Sequence, residues 1–142
     1  MNYSYLQWTI LVAVLVPSVI TDLKERRVCS WLIVCGFAAG ILNTAWTGMP
    51  VICEYFLRFL PGIVILISAY LVKGCIGKGD GLMCIFLGSV IRVEYVLGAL
   101  FYGFLIAALT SLVLVALKKV SGKTMLPFVP FLTLGVVICG II

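Results

Sequence analysis

The sequence predicts an all-α polytopic membrane protein with about six transmembrane helices, the fourth of them short. Three observations predict it. The 142 residues are 64% hydrophobic, with a mean hydropathy of +1.30. Only 10 basic and 5 acidic residues are present, whereas about a quarter of a soluble domain is charged. Long apolar runs follow one another with short polar gaps. This balance excludes a soluble globular domain, and it is the reverse of a disordered one. Six spans of about 20 residues with short loops between them use the whole chain. Residues 1–142 therefore read as a single transmembrane domain, with no internal repeat or linker. Any chemistry falls to the few polar residues in or beside the bilayer.

The elements follow in order. The first run, 5–20, is near the minimum span. No basic residue precedes it and no small-residue cleavage site ends it, so it reads as a permanent helix rather than a signal peptide. The second run, 31–46, is of similar length. The third, 51–72, carries Arg58 and Pro61 but is long enough to cross. The fourth, 82–91, covers only about half a bilayer at about 1.5 Å per residue. Short or irregular backbone at membrane depth survives only where protein or a water cavity covers it, so this element points to a site. The fifth, 95–117, is the most continuous, and the sixth is 126–142.

Orientation follows from the basic residues. Lys24, Arg26 and Arg27 follow the first run, Lys73 and Lys78 the third, and Lys118, Lys119 and Lys123 the fifth. Alternating crossings put these eight on one side and Arg58 and Arg92 towards the other. The positive-inside rule makes the eight-residue side cytoplasmic, which leaves both termini non-cytoplasmic. Tyr3, Tyr5, Trp8 and Trp46 then fall at the outer interface, and Trp31 and Tyr70 near the inner one.

The chain has no histidine, and none of its six cysteines forms a C-x-x-C pair. No metal site or cofactor follows from that pattern. The cysteines read as small packing residues in helices.

Five carboxylates remain. Glu25, amid Lys24, Arg26 and Arg27, reads as a solvated loop charge, and Glu94 beside Arg92 reads similarly. Glu54 and Arg58 stand at i and i+4 and can pair on one helix face. Asp22 ends the first run and Asp80 precedes the fourth, so both fall at the cytoplasmic membrane boundary. Each has an ordinary explanation alone: Asp22 as a helix cap or a partner for nearby arginines, Asp80 as a helix N-cap. Together they are a candidate catalytic pair. Two carboxylates in a partly dry site do not both ionise easily, so one serves as acid and one as base towards a water. If Asp22 ends one helix and Asp80 starts another, the helix dipoles place the resting proton on Asp22. Gly77 and Gly79 before Asp80 would let the turn approach a neighbouring backbone or an extended substrate.

Gly77-Lys78-Gly79-Asp80 resembles the GxGD motif of intramembrane aspartic proteases. Asp22-Leu23-Lys24-Glu25-Arg26-Arg27-Val28 resembles the D-x-[basic]-x-x-[basic]-[aliphatic] segment after the first helix of prepilin peptidase cores. Pro127-Phe128-Val129-Pro130-Phe131-Leu132 resembles the P-F-x-P-F-[aliphatic] stretch opening that family's last helix. Three segments in family order make the chain similar to a short, catalytic-core prepilin peptidase. The resemblance implies a metal-independent endopeptidase that removes the basic leader of type IV prepilins or pseudopilins at the cytoplasmic face. Asp22 and Asp80 would be its catalytic residues, and Gly77 and Gly79 would position the motif backbone. Lys24, Arg26, Arg27 and Lys78 are candidates for contacts to substrate or lipid headgroups. Cys29-Ser30 stand where the family commonly has Pro-Asn, and Leu82 where it often has lysine. The first cytoplasmic loop, about 21–30, lacks the paired C-x-x-C segment of bifunctional members, so no N-methyltransferase activity is expected.

The resemblance implies as partners a prepilin or pseudopilin precursor and the membrane lipid, with a pilus or type II-like secretion machinery in the pathway. Its location would be the bacterial or archaeal cytoplasmic membrane. The basic residues are accounted for by topology and anionic lipid, and nucleic acid is not an expected partner. Two alternatives stay open on the residues alone. One is a small transporter or channel subunit with Asp22 and Asp80 as ion or proton sites, against which their position away from the midplane argues. The other is a noncatalytic factor for pilin assembly.

Overall fold

The computed structural model describes residues 5–25, 29–48, 52–71, 77–117 and 127–141. These form six helices: α1 Tyr5–Glu25, α2 Ser30–Thr47, α3 Ile52–Leu71, α4 Lys78–Val90, α5 Val93–Ala116 and α6 Val129–Ile141. Four of them, α1, α2, α3 and α5, are long and apolar enough to cross a membrane. The other two, α4 and α6, have 13 residues each, about 20 Å of helix.

The helix boundaries differ from the apolar runs in two places that matter. Helix α1 continues past the apolar segment through Asp22 and Lys24 to Glu25. The expected loop at 21–30 is shorter for that reason, since Leu, Lys and Glu are good helix formers once outside the bilayer. Helix α4 begins at Lys78 rather than at Leu82. Gly77 is its N-cap residue and Asp80 lies in its first turn, so Asp80 is not the N-cap. Glu94, read as a loop charge, likewise stands in the first turn of α5. Arg26, Arg27, Lys73, Lys118, Lys119 and Lys123 lie outside the described residues.

Helix α4 is the centre of the bundle. Its residues Met83, Cys84, Phe86, Leu87, Ser89 and Val90 are all buried. It packs chiefly on α3 and α2, and also touches α1 and α5, while α6 packs on α5 and α1. The short fourth element is thus a core helix, hydrophobic nearly all round because neighbours cover it on all sides. Close approach to α3 depends on Gly81, where a Cβ would stand 2.9 Å from the Leu66 Cα and backbone nitrogen. The Thr44 hydroxyl donates to the Ser89 carbonyl at 3.0 Å and ties α2 to α4. Leu11, Leu87, Val96, Val129 and Leu132 complete the core between α1, α4, α5 and α6.

The outer surface of the long helices is apolar. Phe56, Leu60, Val64, Phe101, Leu109 and Leu112 are all exposed, the pattern of helices that face lipid. At one end of the bundle Arg58 is 8% exposed and pairs with Glu54 at 3.1 Å, as the i, i+4 spacing predicts. Arg92 adds contacts to Glu54 at 3.5 Å and to Glu94 at 3.4 Å. The aspartates lie at the other end.

Candidate active site

Asp22 comes to the site on the last turns of α1 and Asp80 on the first turn of α4. Antiparallel succession brings these two helix ends to the same end of the bundle. Asp22 is 7% exposed, and Asp80 is half-buried. The two carboxylates are near enough for the charge on Asp22 to act on Asp80. The structure therefore brings together the two residues singled out from five, although 58 positions separate them in the chain.

Each carboxylate is held by a backbone group. The Gly77 N–H donates to the Asp80 carboxylate, and the Asp80 N–H donates to the Gly77 carbonyl at 3.1 Å. The first bond is one half of a capping box, with Asp80 in the third helical position reaching back to the N-cap N–H; the second is a backbone turn bond, since Gly77 has no side chain to supply the other half. A Cβ at 77 would stand 2.9 Å from Oδ2 of Asp80, so a larger residue there would push that carboxylate aside. Asp22 Oδ2 accepts a hydrogen bond from the backbone N–H of Val129, the first residue of α6, at 3.2 Å. Both carboxylates thus meet the positive end of a helix. The dipole argument that put the resting proton on Asp22 loses its premise: three further helical residues follow Asp22, and α6 offers it an N–H.

The surrounding candidates divide. Lys78 is exposed, and its ammonium stands 4.6 Å from the centre of the Tyr70 ring, a cation–π contact between α4 and α3. Lys24 is exposed in the last turn of α1. Gly79 is part of the first turn of α4, and Leu82 follows one position after the packing glycine Gly81. Arg26 and Arg27 lie outside the described residues. Cys84, one turn beyond Asp80 on α4, is fully buried and within range of the Asp80 charge. Among the described residues no three His, Cys, Asp or Glu side chains gather as a metal-ligand set would.

Sequence reasoning passed over two contributors. Gly81 packs α4 on α3 next to Asp80, and its only signal was a glycine directly after the motif. Val129 contributes through its backbone, which no side-chain pattern reveals. Pro127 and Pro130 around it were the available sign that a helix opens there.

The model of the type IV leader peptidase family matches residues 9–112. The chain belongs to the type IV leader peptidase family. The matched segment contains α2, α3 and α4 whole and both aspartates, and it ends before α6. No curated protein and no solved structure matches the chain. Membership makes this leader peptidase a hydrolase of peptide bonds, and the four long apolar helices make it an integral membrane protein.

Proposed function

We propose that this leader peptidase removes the basic leader from prepilin-like or pseudopilin precursors at the cytoplasmic membrane face, with Asp22 and Asp80 as its catalytic pair. The observation that carries the reading is the convergence of these two aspartates at one end of the bundle. Glu54 and Glu94 are engaged with arginines at the other end, and Glu25 is exposed at the end of α1. No histidine, serine triad or thiolate pair competes for the chemistry.

The two carboxyl groups share one proton at rest, as adjacent carboxylates do. The ionised member takes a proton from water as the water oxygen adds to the scissile carbonyl carbon. The protonated member supports the oxyanion that forms. When the tetrahedral intermediate collapses, the C–N bond breaks and the nitrogen receives a proton from the pair. The product carboxylate leaves on the leader, and the new amino terminus stays on the pilin helix. Water and peptide are consumed, and the pair returns to one proton.

The membrane setting suits such a substrate. A prepilin is itself a membrane helix preceded by a basic leader, and its scissile bond sits at the depth of Asp22 and Asp80. Lys24 and Lys78 have the same charge as the leader, so they suit lipid phosphates better than the substrate. The cytoplasmic membrane, the cytoplasmic face and a pilus or secretion pathway all belong to this reading. No methyl transfer is assigned to the chain. Peptidase membership supports proteolysis over ion transport or a noncatalytic assembly role.

The test is processing of a co-expressed prepilin by wild type, Asp22→Ala and Asp80→Ala, followed by mobility shift and N-terminal sequencing. Wild type is expected to cut, and both variants are expected to insert in the membrane and leave the precursor whole. Full processing by either variant would exclude that residue from the pair.

A further inference from the structure

Helix α6 lies beyond the residues the family model matches, yet it reaches the carboxylate pair. We propose that the opening turn of α6 is a positioning element of the peptidase site, in which the backbone N–H of Val129 holds Asp22 in its place facing Asp80. This rests on the reading of Asp22 as one of the catalytic pair.

Three observations support it. The first is the hydrogen bond itself, 3.2 Å from the Val129 nitrogen to Asp22 Oδ2, across 107 residues of chain. The second is the scarcity of donors at this helix start. The Leu132 N–H donates to the Phe128 carbonyl at 3.0 Å, which closes the first turn. Of the three positions before Leu132, Pro130 has no N–H, so only Val129 and Phe131 carry one. One of these two meets Asp22. The third is how firmly the turn is fixed. Val129 and Leu132 are fully buried. Phe128 stacks on Phe104 of α5, with ring centroids 4.7 Å apart and an interplanar angle of 29°. Proline at 130 fixes its own φ and restrains Val129 before it. A donor on so constrained a turn holds its acceptor to one position, and a carboxylate held this way has little reorganisation left to make during reaction.

Val129→Pro removes the donor at the first helical position, where proline is tolerated, and replaces the valine side chain with a ring of similar size. Val129→Ala removes more side chain but keeps the N–H. In purified enzyme with a prepilin substrate, Val129→Pro is expected to lower kcat about 10–100-fold with KM within about twofold of wild type. Val129→Ala is expected to stay within about threefold in both. Undiminished kcat in Val129→Pro overturns the proposal, and so does an equal loss in Val129→Ala, which would assign the effect to packing. Should Val129→Pro fail to insert, an amide-to-ester replacement at Val129 keeps the side chain and is held to the same expectation. A readout independent of turnover separates this proposal from the catalytic reading. The Val129 amide proton resonance in micelles is expected to move upfield in Asp22→Ala and to stay nearly in place in Asp80→Ala. A resonance unmoved by Asp22→Ala overturns the contact, whatever the enzyme cleaves.

Discussion

Asp22 and Asp80 differ in how they are held, and that difference governs what substitutions do. Asp80 is bonded to Gly77 within its own turn, so Asp80→Asn retains an oxygen that can accept from the Gly77 N–H. Asp22 accepts from another helix, and Asp22→Asn can also keep that bond through its amide oxygen. Both asparagine variants are therefore expected to insert and fold as wild type. Each is expected to lower the rate of prepilin cleavage by about 100–10,000-fold, the range for loss of a positioned proton donor or acceptor. Cleavage within tenfold of wild type would contradict the role of that aspartate. At the other end, Glu54 faces a different demand. Arg58 is buried with its guanidinium on Glu54, and Glu54→Ala would leave that charge without its nearest partner. A stability loss of about 1–3 kcal/mol is expected in thermal or denaturant unfolding in micelles, with kcat of the surviving folded enzyme unchanged. A fall in kcat comparable to the aspartate variants would place this cluster in the chemistry.

At the scale of elements, α4 carries Asp80 into the bundle, and Gly81 sets how closely it lies on α3. Gly81→Ala puts a methyl against the Leu66 backbone, which has no rotamer to give way. Alanine in place of a helical glycine normally gains up to about 1 kcal/mol in propensity. Here the collision outweighs it, and a net loss of about 1–2 kcal/mol in unfolding is expected, with lower activity because the adjacent Asp80 moves with the helix. Gly98→Ala is the comparison: its Cβ would meet only the side-chain sulfur of Cys139, so it is expected to be neutral within about 0.5 kcal/mol. Equal loss in both would remove the close approach as the reason for glycine at 81. These elements also show what a single sequence can disclose. Apolar runs located the six helices of the described residues, because helices that face lipid and a helix buried among them are both apolar nearly all round. They misplaced the starts and ends at Asp22 and Asp80, where helix continues through polar residues that hydropathy scores as loop. The aspartates could be selected because polar residues are scarce here. Their second partner could not, because a backbone N–H at Val129 bears no side-chain signature and lies on a helix 107 residues away.

At the scale of the whole molecule, orientation decides which compartment the aspartates face. We propose the cytoplasm, because eight basic residues fall in the gaps at that end of the chain's crossings. Cys29 precedes α2 and Cys53 stands in the first turn of α3, and both are exposed. One transmembrane helix separates them, so they face opposite ends of the bundle, with Cys29 at the end that holds Asp22 and Asp80. Two single-cysteine proteins, keeping either Cys29 or Cys53 and replacing the other five with serine or alanine, report on the two ends separately. A membrane-impermeant maleimide added to intact spheroplasts is expected to label Cys53 and leave Cys29 unlabelled until the membrane is opened. The reverse pattern would turn the aspartates away from the cytoplasm. It would also put eight basic residues on the translocated side, against the strongest regularity of membrane topology. Labelling of both in intact cells would mean that the helix between them does not cross. The expected pattern puts the carboxylate pair where a basic leader, kept from crossing by its own charge, has to stay.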